Sequence, residues 1–401
     1  MLSVSRLFRF AMQSFSQFSN VGVPIMSAQD SVLIPPPHIA AIAPYQAGKP
    51  IEELAREFGL DPSGIVKLAS NENPLGMPES ARRAIAEAIA GLGRYPDPAG
   101  FDLKKALSER YSVAQNWLTL GNGSNDILEL VASALLEPDS SVVYSQFAFV
   151  VYRLATQARG AEHIVVPAKE HGHDLPAMLE SIRDNTRLVF IANPNNPTGT
   201  YLSNDAIESF LAAVAARHGT RVTVVLDEAY NEFLEPELRV DSVGLVKRYP
   251  NLLVSRSFSK AYGLAGLRVG FGVAQPVLTD LLNRVRQPFN VNSLAQAAAI
   301  AALGDTAFLK ESFEVNRAGK AQLQGAFEAL GLTYLPSYSN FVLVKVGDAA
   351  QVNLELLKRG VIVRPVKGDG LPEWLRVSIG LPQENEKFIE ALTAIMKQLA
   401  A

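Results

Sequence analysis

LVFIANPNNPTG, residues 188–199, is a run of five apolar residues that stops abruptly in a turn of Asn, Pro and Gly. Two later stretches share this build: VTVVLDEAY (222–230) and LLVSRSFSK (252–260). Between the first two, Ser203 stands as an N-cap and Ile207, Phe210, Leu211 and Val214 recur at helical spacing before Gly219 closes the helix. Short, continuously apolar strands separated by helices are buried on both faces, so the stretch from Val142 onward predicts an α/β fold with a mainly parallel central sheet. The C-terminal third reads differently. A long helix over 308–330 precedes strands at 341–346 and 375–379, with a helix at 352–359 between them, which predicts a smaller α+β domain. A hinge is expected near Pro288 to Ser293. The division that follows is a large domain over 71–290, with 30–70 and 291–401 forming an N-terminal arm and the small domain.

The chain has 401 residues, 48% hydrophobic and 19% charged, enough for two or three domains with a substantial core. No apolar run reaches the ~18 residues of a membrane helix, and the run Ala295 to Ala302 reads as a tightly packed helix. Thirty-seven Lys+Arg against 40 Asp+Glu, a net charge of -3, argues against a nucleic-acid binder. With no cysteine there is neither a disulfide framework nor a thiol nucleophile, which suits a reducing compartment, and a cytoplasmic location is expected. Residues 1–29 carry no acidic side chain, only Arg6 and Arg9, with many Ser and Phe. They read either as a transit-type leader or as sequence upstream of a true start at Met26. Pro35, Pro36 and Pro37 then read as an extended arm.

In an open α/β sheet, ligands bind outside the carboxyl ends of the strands. Three strand ends here carry polar residues: Asn196 in the first turn, Asp227 with Tyr230 after the second, and Ser257, Ser259 and Lys260 after the third. Each alone has a plain structural explanation as a turn, a helix cap or a Ser-rich loop. Together they bring an amide, a carboxylate, a phenol and an amine to one crevice. A desolvated amine attacks carbonyls to form an imine. An imine-forming lysine beside a carboxylate is what pyridoxal phosphate requires, its ring nitrogen needing an acidic partner. Asp227 is then expected at the ring nitrogen, with Asn196 and Tyr230 at the ring oxygen opposite. An anion site is expected at Leu120 to Asp126, where Gly121 and Gly123 precede a helix over 127–136. Arg268, Ser257 and Ser259 add charge and hydroxyls. His171 and His173 have no third ligand at a supporting spacing, so no metal is expected.

With these residues in hand, the sequence resembles the fold-type I pyridoxal-phosphate-dependent aminotransferases, and within them the branch acting on histidinol phosphate. The resemblance runs from about Ile39 to the C-terminus. It is carried by Pro44-Tyr45-Gln46, Ser70-Asn71-Glu72-Asn73-Pro74-Leu75-Gly76, Arg94-Tyr95-Pro96, the Asn-Asn-Pro-Thr-Gly turn, Asp227 with Tyr230, and Ser257-x-Ser-Lys with Arg268. It implies that Lys260 carries the cofactor and shuttles the proton, and that Ser124, Asn125, Ser257, Ser259 and Arg268 hold the phosphate. It also implies that Phe147 stacks on the ring and that Tyr95 reaches the phosphate of a neighbouring subunit, in a homodimer with a shared active site. Arg376 and Arg364 would take the substrate's carboxylate or phosphate, and Tyr45 would close the pocket.

The reaction so implied is ping-pong transamination through an imine on Lys260. It links histidinol phosphate and 2-oxoglutarate with imidazole acetol phosphate and glutamate, a step of histidine biosynthesis. A broad or aromatic amino-acid aminotransferase shares every cofactor residue, and a threonine-phosphate decarboxylase resembles the same family. A ligand sensor without turnover would carry a basic DNA-binding domain before this fold, and residues 1–70 have neither the length nor the charge for one.

Overall fold

The computed structural model describes residues 34–44 and 48–400; the expectations for residues 1–29 and for Tyr45 fall outside these. In the segment ending at Ala41, the expected extended proline arm is replaced from Pro37 by a one-turn helix, Pro37–Ala40. Proline is at home at the first helical position, where its missing N–H has no partner to lose.

From residue 42 onward the chain forms one compact unit. Helix Ile51–Phe58 leads into strand β1 (Val66–Lys67). The large sheet follows: β2 (Leu118–Gly121), β3 (Ser141–Ser145), β4 (Glu162–Val166), β5 (Thr186–Ala192), β6 (Thr223–Asp227), β7 (Leu252–Ser257) and β8 (Gly270–Val273), in the order β2-β8-β7-β6-β5-β3-β4. The pairs among β4, β3, β5, β6 and β7 are parallel, and β8 joins β7 and β2 antiparallel. Successive residues of the strands feed two separate apolar clusters. Val143, Val189, Ile191, Val224, Leu226 and Val254 lie in one, and Val142, Tyr144, Leu188, Phe190, Val225 and Leu253 in the other. Helices therefore cover both faces, which is why the strands read as unbroken apolar runs rather than alternating ones.

The small sheet contains β9 (Tyr334–Leu335), β10 (Phe341–Lys345), β12 (Arg364–Pro365) and β13 (Trp374–Ser378), all antiparallel, in the order β12-β13-β10-β9. Strand β11 (Val361–Ile362) instead pairs in parallel with β1, so residues that precede the large sheet are tied to the segment that enters the small one. The helix after residue 290, Ser293–Gly304, packs Ala295, Ala298, Ala299 and Ala302 into the large-sheet cluster, beside helix Glu79–Ala88. Its small side chains let the backbones approach closely. The chain passes between the two cores along the following helix, Thr306–Ala329. Leu309 of that helix packs against the large-sheet cluster, whereas Leu323 and Phe327 lie in the small-domain cluster. The passage thus lies beyond the expected hinge.

One glycine sets the distance between the sheet and the helix that follows β2. A Cβ on Gly270 would stand 2.5 Å from the Ser124 nitrogen, 2.6 Å from the Gly123 carbonyl carbon and 2.8 Å from the Arg256 oxygen, all backbone atoms that cannot swing away. Gly270→Ala should therefore lower stability by about 1–3 kcal/mol, the usual cost of overpacking, measured by urea unfolding. Gly266→Ala, with nothing within 4 Å of its added carbon, is the matched control and should change stability far less.

Candidate active site

The expected residues converge. A cavity of about 280 Å³ opens at the carboxyl ends of β5, β6 and β7, and its walls include Ser124, Asn125, Asn196, Asp227, Tyr230, Ser257, Ser259, Lys260, Arg268, Arg364 and Arg376. The topology explains the convergence: β5, β6 and β7 are adjacent and parallel, so their carboxyl ends meet on one edge of the sheet.

Asp227 ends β6 and is buried. Its side chain caps no helix. One oxygen accepts the Tyr152 hydroxyl at 3.0 Å and the other the Ala229 N–H at 3.2 Å. Loss of water pushes its carboxyl up to about 6, against the pull of those two hydrogen bonds and of Lys260. The Lys260 amine donates to the Ser70 carbonyl at 3.2 Å and stands 5.8 Å from the centre of the Tyr230 ring. Desolvation, with Arg376 and Arg268 nearby, draws it down to about 8, which makes the neutral, nucleophilic form accessible near neutral pH.

A cradle suited to an anion lines the same cavity. Gly123, with φ +81°, precedes helix Ser124–Leu135, whose first N–H groups lack helical partners. Arg268 reaches Ser259 Oγ at 3.2 Å and the Asn122 carbonyl at 3.4 Å, while the Ser259 N–H donates to Ser257 Oγ at 3.1 Å. A Cβ on Gly123 would stand 2.6 Å from the Arg268 guanidinium, so glycine is what admits the arginine there. On the small-domain side, Arg376 donates to Asn196 Oδ1 at 2.6 Å and to the Ala69 carbonyl at 2.8 Å, with its guanidinium 5.3 Å from the centre of the Phe341 ring. Asp369 lies near Arg376, Arg364 and Arg153, which pull its carboxyl down while burial pushes it up further.

Two of the named residues, Phe147 and the Tyr95 expected at a neighbouring subunit's site, do not line this cavity. Phe147 does not line the cavity; it packs with Leu343, Val366, Leu371 and Trp374 and stacks on His171 at 5.7 Å. Phe149, two residues on and just before helix Val150–Ala158, lines the cavity in its place. Tyr95 is 82% exposed, stacks on Phe289 at 4.7 Å and lines a separate surface hollow. Phe149 and Tyr152 escaped the sequence reading, and Asn71 entered it only within a motif, with no role given. Tyr152 falls three positions after Phe149, so both lie along one side of the helix start, a spacing visible in the sequence. Glu228 makes no solvent contact. It is buried in an ion pair with Arg256, at 2.7 Å.

Residues 63–392 match the aminotransferase class I and II family model. The chain is 66% identical over 366 residues to histidinol-phosphate aminotransferase 1 of Cupriavidus pinatubonensis, covering 90% of this chain and 96% of that protein. It is 63% identical over 370 residues to histidinol-phosphate aminotransferase 2 of Ralstonia nicotianae, covering 91% and 98%. Among solved structures, the histidinol-phosphate aminotransferase of Sinorhizobium meliloti in complex with pyridoxal-5'-phosphate superposes with a TM-score of 0.81 at 27% identity, covering 92% of this chain and 99% of that one. The chain belongs to the class I and II aminotransferases, and its fold is the fold-type I architecture of that family.

A raised carboxyl carries a stability cost of definite sign. The folded state holds the Asp227 proton up to about pH 6, where the unfolded chain has released it near 3.8. The cost of the buried anion is therefore absent below that range, develops across it and is complete above pH 6. In the cofactor-free protein, Asp227→Asn should raise stability above pH 6 by roughly 1–3 kcal/mol, and the gain should vanish below pH 4. Tyr152→Phe should act in the opposite direction above pH 6, by about 1–2 kcal/mol, because it removes a donor to the anion. Chemical denaturation across pH 4–8 reads both.

Proposed function

We propose that this enzyme uses pyridoxal 5'-phosphate to transfer an amino group reversibly from histidinol phosphate to 2-oxoglutarate, giving imidazole acetol phosphate and glutamate. The observation that carries this reading is the meeting of one desolvated amine, Lys260, and one buried carboxyl, Asp227, in a cavity also lined by Arg376 and Arg364. The high identity to the two histidinol-phosphate aminotransferases supports the choice of substrate. The donor set fits the cofactor: the glycine-lined cradle with Arg268 suits its phosphate, and Asp227 suits a protonated ring nitrogen.

When bound, pyridoxal phosphate supplies an aldehyde that condenses with amines and a ring that accepts the electron pair left by a departing α-proton. The protein's residues do the rest. Ser124, Asn125, Ser257, Ser259 and Arg268 would hold the phosphate. Asp227 would keep a proton on the ring nitrogen, its own ionised form stabilised by Tyr152 and the Ala229 amide. Asn196 and Tyr230 would face the ring oxygen, and Phe149 would line the ring where Phe147 does not reach. Lys260, as free amine, would carry the proton to and from the substrate's α-carbon. Arg376, with Arg364, would hold the substrate's anionic end. A permanently charged planar fork accepts glutamate's carboxylate and a phosphate monoester in turn. That alternation suits two half-reactions sharing one site.

We read the assembly as a homodimer in which Tyr95, exposed and outside the lining of its own cavity, completes the partner's phosphate site. The cysteine-free chain suits a cytoplasmic setting. Among the described residues, no helix is long and apolar enough to cross a membrane.

Two measurements test the reading. Lys260→Ala should abolish the visible absorption of the loaded protein and all amino transfer; activity retained in that variant would mean another lysine carries the cofactor. Half-reactions followed spectroscopically should favour histidinol phosphate over phenylalanine in kcat/KM by orders of magnitude. A preference for phenylalanine would instead mark a broad or aromatic aminotransferase, and carbon dioxide released from threonine phosphate a decarboxylase.

A further inference from the structure

Phe147 and His171 lie outside the cavity and reach from the large sheet to the small one. Phe147 follows β3, and its carbonyl accepts from the Asn195 side-chain amide at 2.8 Å, which ties its backbone to the turn that carries Asn196. Its ring is packed with Leu343 of β10, Trp374 of β13, and Val366 and Leu371 of the turn between β12 and β13. A carbon added at Gly370, in that turn, would stand 3.6 Å from the ring. His171 stacks on Phe147 with ring centres 5.7 Å apart and planes at 17°, and its ring centre lies 5.5 Å from that of Trp374. The backbone under His171 takes an uncommon form. Lys169 and Gly172 exchange both backbone hydrogen bonds, at 3.2 and 2.8 Å, so Glu170 and His171 are the central residues of a tight hairpin. Both have positive φ, 51° and 63°. Hairpins of that kind favour Asn-Gly, and other residues there cost conformational energy. The contacts of the His171 ring offset that cost.

The register of the small sheet shows what these rings support. Trp374 and Arg376 are two residues apart on β13 and so share a face. Leu343 stands opposite Arg376 on β10, and Arg364 stands opposite it on β12, which puts all three in one row on that face. Leu375 and Val377 turn the other way, into the small-domain cluster. The face that presents Arg376 to the cavity is therefore the face on which Phe147 packs. Two guanidinium groups directly opposite each other repel, so the row needs support from what lies against it.

We propose that Phe147, backed by His171, is a positioning residue that seats the β13 face bearing Arg376, and so sets how tightly the enzyme grips the anionic end of its substrate. Neither ring lines the cavity, so the effect passes through the strand. Loss of the Phe147 ring opens a space between β13 and the large sheet, and Arg376 shifts from the position in which it meets Asn196 at 2.6 Å. The inference rests on the placement of Arg376 at the substrate's anionic end proposed above.

The test is the ratio of kcat/KM for histidinol phosphate to that for histidinol, the same amine without the phosphate, measured on the cofactor-loaded protein. This ratio reads the grip on the anion and does not depend on the fraction of enzyme that is folded. Arg376→Ala should lower it on the order of 100-fold, the scale of a charged hydrogen-bonded contact. Phe147→Ala should lower it roughly 10-fold, the scale of a misplaced binding group, and Phe147→Leu, which refills most of the space, should recover most of that loss. In the Arg376→Ala background, Phe147→Ala should lower the ratio no further, because Phe147 acts only through that arginine. His171→Asn gives the hairpin a residue it favours while removing the ring. It should lower the ratio about 3-fold with no loss of stability, and it carries the test if Phe147→Ala does not fold. Phe210→Ala, which removes a buried ring from the large-sheet cluster, should leave the ratio unchanged. An unmoved ratio in both Phe147→Ala and His171→Asn, a full additional loss in the double variant, or an equal loss in Phe210→Ala overturns the inference while leaving Arg376 in place. An unmoved ratio in Arg376→Ala itself overturns the placement of the anion site and the inference with it.

Discussion

Two ionisable groups are taken out of water at the ends of neighbouring strands, and much of the architecture accommodates their opposed displacements. Desolvation lifts the acid at Asp227 and depresses the base at Lys260, which brings two groups of very different ordinary acidity to within about two pH units of each other. Such burial is tolerable only with partners at hand. Tyr152 and the Ala229 amide serve the acid, and the Ser70 carbonyl serves the base. The parallel sheet supplies the crevice, and the apolar clusters on its two faces hold the strand ends in place.

The residues from 69 to 71 show how a short irregular segment can be as exacting as a helix. Their backbone is exposed to three side chains that must be placed relative to one another, and the hydrogen bonds to Arg376, Lys260 and Asn340 come from three separated parts of the chain. The left-handed backbone at Asn71 is the local condition for this arrangement, since it turns the side chain toward both Ser378 and Tyr230.

Much of this was legible in the sequence because continuous apolar strands ending in polar residues have few alternative readings. Asn196, Asp227, Ser257, Ser259 and Lys260 each sit within a few residues of a strand's last apolar position, so the topology rule for parallel sheets locates them directly. Phe147 and Phe149 were not separable in this way. Both follow β3 in an irregular loop, where no two-residue or helical period says which ring turns inward. Asn71 was visible only as part of a motif, because its partner Ser378 lies 307 residues away and no local pattern encodes that meeting. Tyr152 sits among apolar positions of helix Val150–Ala158, and its hydroxyl meets Asp227 only through the docking of that helix on the sheet. The core joined by helix Ser293–Gly304 was not legible either, because an alanine-rich helix carries no label saying which cluster it will pack into.

The pairing of β1 with β11 has a consequence for biosynthesis. Val66 leaves the ribosome roughly 300 residues before its partner Val361, a delay of about 15–60 s at ordinary elongation rates. Through that interval, Leu54, Ile65 and Ala69 have no Ile362 to pack against, while the doubly wound layers behind them can already condense. Nascent chains of this protein would thus present an unpartnered amphipathic N-terminal segment until translation is nearly complete, a natural stopping place for a holdase chaperone.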